Sequence, residues 1–229
     1  MVRHDSWPAN TPAPPCHCVS TKATLTRMKA ESANLTEFLQ ATPVLDCDTP
    51  AVRERACEIA SGRSGDVERA KALFEWVRDA TPHSWDIQSR KVTCTASEVL
   101  AEGTGICFAK SHLLAAMLRS VGIPAGLYYQ RLRRDPEYDG FTLHGLNALY
   151  LDSHSKWVRV DPRGNIPGVD AQFSVDEERL AWPSNAKASE FIYETIFLDA
   201  DPAIVGFLSD NDDLLASWGD LPHELRFER

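Results

Sequence analysis

Three residues of this chain have the types and the spacing for nucleophilic chemistry on a carbonyl. Cys107 follows Gly103 and Gly105 and heads the apolar run "CFAKSHLLAAMLRSVGIP". A thiol at a helix start is activated by the oriented N–H groups and the macrodipole. Glycines just before it let the backbone approach a substrate closely and leave N–H donors for a developing oxyanion. The backbone N–H of Cys107 is the one such donor the sequence names. The competing reading is a small buried hydrophobe, since free cysteines are among the most buried residue types.

A nucleophilic thiol needs a base, and the chain has seven histidines. His112 lies five residues beyond Cys107 on the same helix, about 140° around its axis, and faces elsewhere. His4 and His17 fall in a Pro-rich opening, and His154 sits in the turn "DSHS". His144 is different, because it lies inside the apolar strand pattern "FTLHGLNALYL" with Gly145 beside it. A third group follows from parity. A two- or four-residue turn around "DSHS" pairs residues whose numbers sum to 305 or 307, and in either register Asp161 shares a face with His144. The carboxylate can then fix the imidazole tautomer.

These residues need elements to position them. "TPAVRERACEIASG" predicts a helix with Thr49 as N-cap, Pro50 in its first turn and Gly62 as its stop. "GDVERAKALFEWVRDA" predicts another, capped by Asp66, with Val67, Ala70, Phe74 and Val77 on its buried face. "TPHSWDIQSRKVTC" breaks the period and forms a loop, either beside a site or a plain connection. Thr95 and Glu98 stand at capping-box spacing before a short helix that Gly103 ends. The helix from Cys107 is apolar around much of its circumference and stops at Gly122 and Pro124. Beyond it the period becomes two: "AGLYYQRL", "FTLHGLNALYL", "KWVRVD" and "FIYETIFL" are strands, the second and third a hairpin. "ADPAIVGFLSDNDDLLASW" closes the pattern with late helices. Helices before strands define an α+β order.

Composition bounds the function. A net charge of -9 over 229 residues, with no Lys or Arg cluster, argues against nucleic acid as a partner. No stretch reaches the roughly 20 apolar residues of a bilayer span, and the N-terminus lacks the apolar core of a secretory signal, so a cytoplasmic protein is expected. The six cysteines show no regular spacing and are expected to be reduced. Cys16-His17-Cys18 lacks the second pair a zinc site needs, so no metal is assigned. Residues 1–27, with Pro8, Pro12, Pro14 and Pro15 and no periodicity, are expected to be a disordered tail, leaving 28–229 as a single domain that opens naturally at Met28.

As a set, "ASEVLAEGTGICFAKSHLLAAMLRSVGIPAG", the strand histidine and "WVRVDPRGN" resemble the transglutaminase-like superfamily, especially its bacterial cysteine-peptidase-like members, over about residues 70–170. The resemblance implies a papain-like α+β core with Cys107 as nucleophile, His144 as base and Asp161 as the acid that orients it. It also implies acyl transfer through a Cys thioester on a protein, peptide or small amide, whether peptide hydrolysis, deamidation or transamidation, with no cofactor. Many relatives follow the histidine with Ala-Trp where this chain has Gly145-Leu146, so Trp85 or Trp157 is the substitute on offer. "RRDPEYDGF" is the expected rim, with Arg133 and Arg134 as contacts for an acidic ligand or as solvated turn residues. The alternative function is an interaction domain that keeps the fold without turnover.

Overall fold

A computed structural model of the chain describes residues 28–134 and 140–226. The expectations for the 1–27 tail, for Cys16-His17-Cys18 and for the middle of the rim loop fall outside them. After a short strand β1 (Lys29–Ala30) come helices α1 (Pro50–Ala60), α2 (Gly65–Ala80), α3 (Ala96–Glu102) and α4 (Cys107–Ser120). Strands β2 (Ala125–Arg133), β3 (Phe141–Leu151) and β4 (Lys156–Val160) follow. Two-residue strands β5 (Phe191–Ile192) and β6 (Thr195–Ile196) precede helices α5 (Pro202–Asp210) and α6 (Leu214–Ser217). The main sheet is antiparallel in the order β4-β3-β2-β5, while β6 leaves it to pair in parallel with β1. The single strand expected over "FIYETIFL" is thus two short strands in two sheets.

Local chemistry sets the helix ends. At α3 the Thr95 hydroxyl accepts from Glu98 N while Glu98 reaches back to Thr95 N, and Gly103 at φ 68° closes the helix. Pro50 opens α1, but the Thr49 side chain does not cap it; its hydroxyl bonds Asp46 at 3.1 Å instead. Asp66 is not the cap of α2 either. It lies inside the first turn and binds Val67 N and Ser153, and Glu68 accepts from Ser64 N at 2.9 Å.

The sheet is buried on both faces, and the alternation of its residues divides two cores. Leu127, Tyr129, Leu143, Leu149 and Leu151 join the helices in the main core. Tyr128, Leu146 and Ala148 pack with Phe38 and Ile196 on the other side. Helix α4 is the wedge between helices and sheet, with twelve buried residues from Phe108 to Arg119. Its C-terminal end is pinned by Arg119, which donates to Ala125 O, Gln40 O and Leu198 O at 2.9, 2.6 and 2.7 Å. Burial pushes that guanidinium down to about 10. Asn147 on β3 donates to Ser111 O of α4 at 2.9 Å and fixes strand against helix.

The N-terminal end of α4 meets β3 at Gly145. A Cβ there would stand 2.7 Å from Phe108 Cδ1 and 3.0 Å from Phe108 Cα, closer than a side chain and backbone can share. Gly145→Ala should therefore push α4 off the strand, costing about 1–3 kcal/mol. Thermal denaturation should show it as a clear drop in Tm, and an unchanged Tm would contradict this packing.

Candidate active site

β3 and β4 pair with partner numbers summing to 307, as in Asn147 with Val160 and Leu151 with Lys156. The turn is therefore the four-residue case, and Asp161 sits diagonally from His144 on the same side of the sheet. His144 Nε2 and Asp161 Oδ2 are 2.8 Å apart, with both side chains buried. Asp161 also accepts from Arg163 N at 3.1 Å and Ala181 N at 3.0 Å. Burial opposes charge on both partners, yet the Asp161 carboxyl is held below the usual carboxylate range by His144 and these N–H groups. For His144 burial is likewise the largest influence and lowers its pKa, but the Asp161 carboxylate and the Cys107 sulfur outweigh it and push the imidazole up to about 10. With Nε2 committed to Asp161, Nδ1 is the nitrogen left for Cys107.

Cys107 and His144 line one cavity of about 340 Å³, whose walls also carry Ile106, Phe108, Leu143, Trp182, Trp218 and Leu221. Several of these come from parts of the chain to which sequence reasoning gave no role in the site. Trp182 stands edge-on to His144 with ring centroids 5.0 Å apart. Its segment is fastened by Ala181 N to Asp161 and by Gln130 Nε2, which donates to Trp182 O at 3.0 Å and Ser184 Oγ at 2.9 Å. Trp218 arrives on a C-terminal segment that is tied down by Leu143 N donating to Pro222 O at 2.7 Å. Arg134 lines the cavity as a clamp on that segment, donating to Trp218 O at 2.7 Å and Gly219 O at 2.6 Å. Of the two substitute tryptophans, Trp85 stacks on Trp218 at 4.0 Å. Trp157 packs on Phe38 and Tyr150 and does not line the cavity.

His83, from the loop "TPHSWDIQSRKVTC", is the other residue the sequence did not single out. Ile106 provides no side-chain cap for α4, and His83 Nε2 accepts the Cys107 N–H at 3.1 Å in its place. The donor expected to face an oxyanion is therefore engaged. Burial, helped by Arg163, Lys110 and His144, holds His83 well below the ordinary histidine value, so it is a neutral acceptor. A histidine in an aperiodic loop just ahead of a glycine-rich helix start was the available signal. Lys110, one turn into α4, is fully buried and donates to Thr81 O and Arg78 O at the end of α2. Burial, with Arg163 nearby, pushes its ammonium down to about 7 against the pull of Asp161, Asp86 and Asp79.

The family model for the transglutaminase-like superfamily matches residues 53–162, a little under half of the chain. Similar solved structures include a candidate cysteine protease from Cytophaga hutchinsonii, at 18% identity over 58% of this chain and 43% of that one, TM-score 0.47. Others are the periplasmic domain of TgpA from Pseudomonas aeruginosa, at 18% identity over 56% and 48%, TM-score 0.40, and a candidate protease from Parabacteroides distasonis, at 12% over 54% and 25%, TM-score 0.36. The matched region spans less than half of each of those chains. No curated protein matches the sequence. Among the described residues no group of His, Cys, Asp or Glu is placed to hold a metal, and no helix is long and apolar enough to cross a membrane.

Because Asp161 raises the His144 pKa, replacing its charge must lower it. His144 contributes stability that is full below its unfolded value near 6.5 and is lost as pH rises through about 10. In Asp161→Asn the His144 titration should move down by roughly 1–3 pH units. Proton NMR of the imidazole checks this, and an unmoved titration would show that the carboxylate does not govern the ring.

Proposed function

We propose that the chain is a thiol-dependent acyl-transfer enzyme acting on amide bonds, with Cys107 as nucleophile, His144 as general base and acid, and Asp161 as the group that orients His144. The observation that carries this reading is the buried 2.8 Å His144–Asp161 pair, whose imidazole lines the same cavity as a cysteine at the first residue of α4. Asp161 takes Nε2, which leaves Nδ1 to exchange a proton with the thiol.

The thiolate sulfur bonds to the carbonyl carbon and the carbonyl electron pair moves onto oxygen. As that pair returns, the C–N bond breaks, His144 gives its proton to the leaving amine, and a thioester remains. Water then releases an acid, or an amine forms a new amide. The substrate is a protein, peptide or small amide whose acyl part fits a largely apolar cavity with two tryptophans in its wall.

Assay with quenched peptides, and with a glutamine donor plus labelled amine, tests the reading. Cys107→Ala and His144→Ala should each reduce turnover by at least about 10³-fold with the fold retained, and the double variant should be no worse. Asp161→Asn should lose most activity. Full activity in Cys107→Ala would overturn the mechanism. Iodoacetamide gives a substrate-free check: Cys107 should alkylate much faster than the exposed Cys57 at neutral pH, whereas equal rates would favour an interaction domain without turnover.

A further inference from the structure

The Cys107 N–H, the oxyanion donor of the proposed mechanism, is held by a residue that has an alternative partner. His83 Nε2 accepts from Cys107 N at 3.1 Å, while its Nδ1 is buried without a hydrogen bond, 4.0 Å from Asp86 Oδ1. Because Nε2 accepts, the neutral ring carries its proton on Nδ1. That is a buried donor lacking an acceptor, a costly state. Closing about 1 Å toward Asp86 would satisfy it.

The surroundings hold the backbone still and leave the ring as the part that can turn. Ser84 N donates to Gly105 O at 3.2 Å, the Ser84 and Thr104 hydroxyls are 2.9 Å apart, and the Thr104 hydroxyl donates to Pro82 O at 2.9 Å. Asp86 is fixed by Arg163, whose two terminal nitrogens donate to its two oxygens at 2.6 and 2.7 Å. The ring borders the open cavity on one side. In its present position the ring holds one of two available partners, Cys107 N at 3.1 Å, and stands 4.0 Å from the other, Asp86 Oδ1.

We propose that His83 is a positioning residue that gates the oxyanion site, holding the Cys107 N–H until a substrate carbonyl arrives and then tilting onto Asp86. This rests on Cys107 being the nucleophile. As sulfur bonds to the carbonyl carbon, the displaced electron pair on oxygen accepts the N–H that His83 has left, and Nδ1–H gains a charge-assisted bond to Asp86. Substrate entry thus gives Nδ1–H and the Cys107 N–H charge-bearing acceptors and moves the one unpaired position from the Nδ1–H donor to the Nε2 lone pair.

Two probes separate the gate from the nucleophile. p-Nitrophenyl acetate acylates the thiolate through an oxyanion and releases p-nitrophenolate; iodoacetamide alkylates it by displacing iodide and forms none. Asp86→Ala removes the ring's alternative partner, so burst acylation should fall by about tenfold or more while alkylation stays within about threefold. His83→Ala removes the gate, so acylation should equal or exceed that of the unaltered chain. The double variant should behave like His83→Ala, rescuing the Asp86→Ala defect. A loss of acylation in His83→Ala would overturn the proposal by making His83 a donor, as would an unrescued double variant or an Asp86→Ala effect common to both probes. Should Asp86→Ala not fold, the acylation-to-alkylation ratio of His83→Ala decides alone. Slow alkylation of Cys107 in the unaltered chain would defeat the nucleophile itself, and that result precedes any variant.

Discussion

The Asp161 carboxylate is the group on which the arrangement depends. It is fully buried and accepts three hydrogen bonds, from the His144 ring, from Arg163 N and from Ala181 N. A buried carboxylate is tolerated only when its lone pairs are met, and removing one partner of such a pair typically costs about 3–5 kcal/mol. Meeting those lone pairs draws three separate pieces of chain to one point. β3 brings His144, the turn after β4 brings Arg163, and the segment at 181–184 brings Trp182 against the imidazole. Arg163 then extends the same network to Asp86 and to the face of Trp182, with its guanidinium 5.2 Å from the ring centre.

A second constraint comes from the opposite side of the cavity. A helix N-terminus leaves N–H groups without partners, and α4 begins with a residue pair, Ile106 and Cys107, that offers no side-chain cap. A capping oxygen or nitrogen in the N-cap position would close the helix from within and project into the cavity that Ile106 and Cys107 line. The chain leaves that position apolar and closes the helix from outside with the ring of His83. Gly145 serves the same end, since only a residue without Cβ lets Phe108, and with it the start of α4, come up against β3.

The pattern of what was legible follows from the range of the interactions. Cys107 could be found because a glycine-rich helix start is a local feature, and His144 with Asp161 because strand parity converts sequence distance into a shared face. The capping box at Thr95 and the stop at Gly103 were legible for the same reason. Trp182, Trp218 and His83 were not, because no periodicity connects them to the strands they serve. The His83 ring reaches Cys107 across 24 residues of chain, and Trp218 is delivered by a C-terminal segment fastened to β3 through backbone groups that every residue has. The division of "FIYETIFL" between two sheets was hidden likewise, since β6 pairs with Lys29–Ala30 from the far end of the described chain.

Two histidines face one cavity, and their surroundings drive them apart. Both are buried, which by itself disfavours the imidazolium in each. His144 has a carboxylate at 2.8 Å and the Cys107 sulfur beside it, and is pushed up to about 10. His83 has no carboxylate in hydrogen-bonding contact, because Asp86 at 4.0 Å is engaged by Arg163, and Arg163, Lys110 and His144 all press it down. The charged His144 is therefore one cause of the neutral His83. When two titratable groups in one site are separated in this way, each is confined to one task at neutral pH. The imidazolium has a proton to deliver, whereas the neutral ring accepts the Cys107 N–H at Nε2 and keeps its own proton on Nδ1. A carboxylate in hydrogen-bonding contact with His83 would narrow that difference, and the 4.0 Å from Nδ1 to Asp86 Oδ1 preserves it.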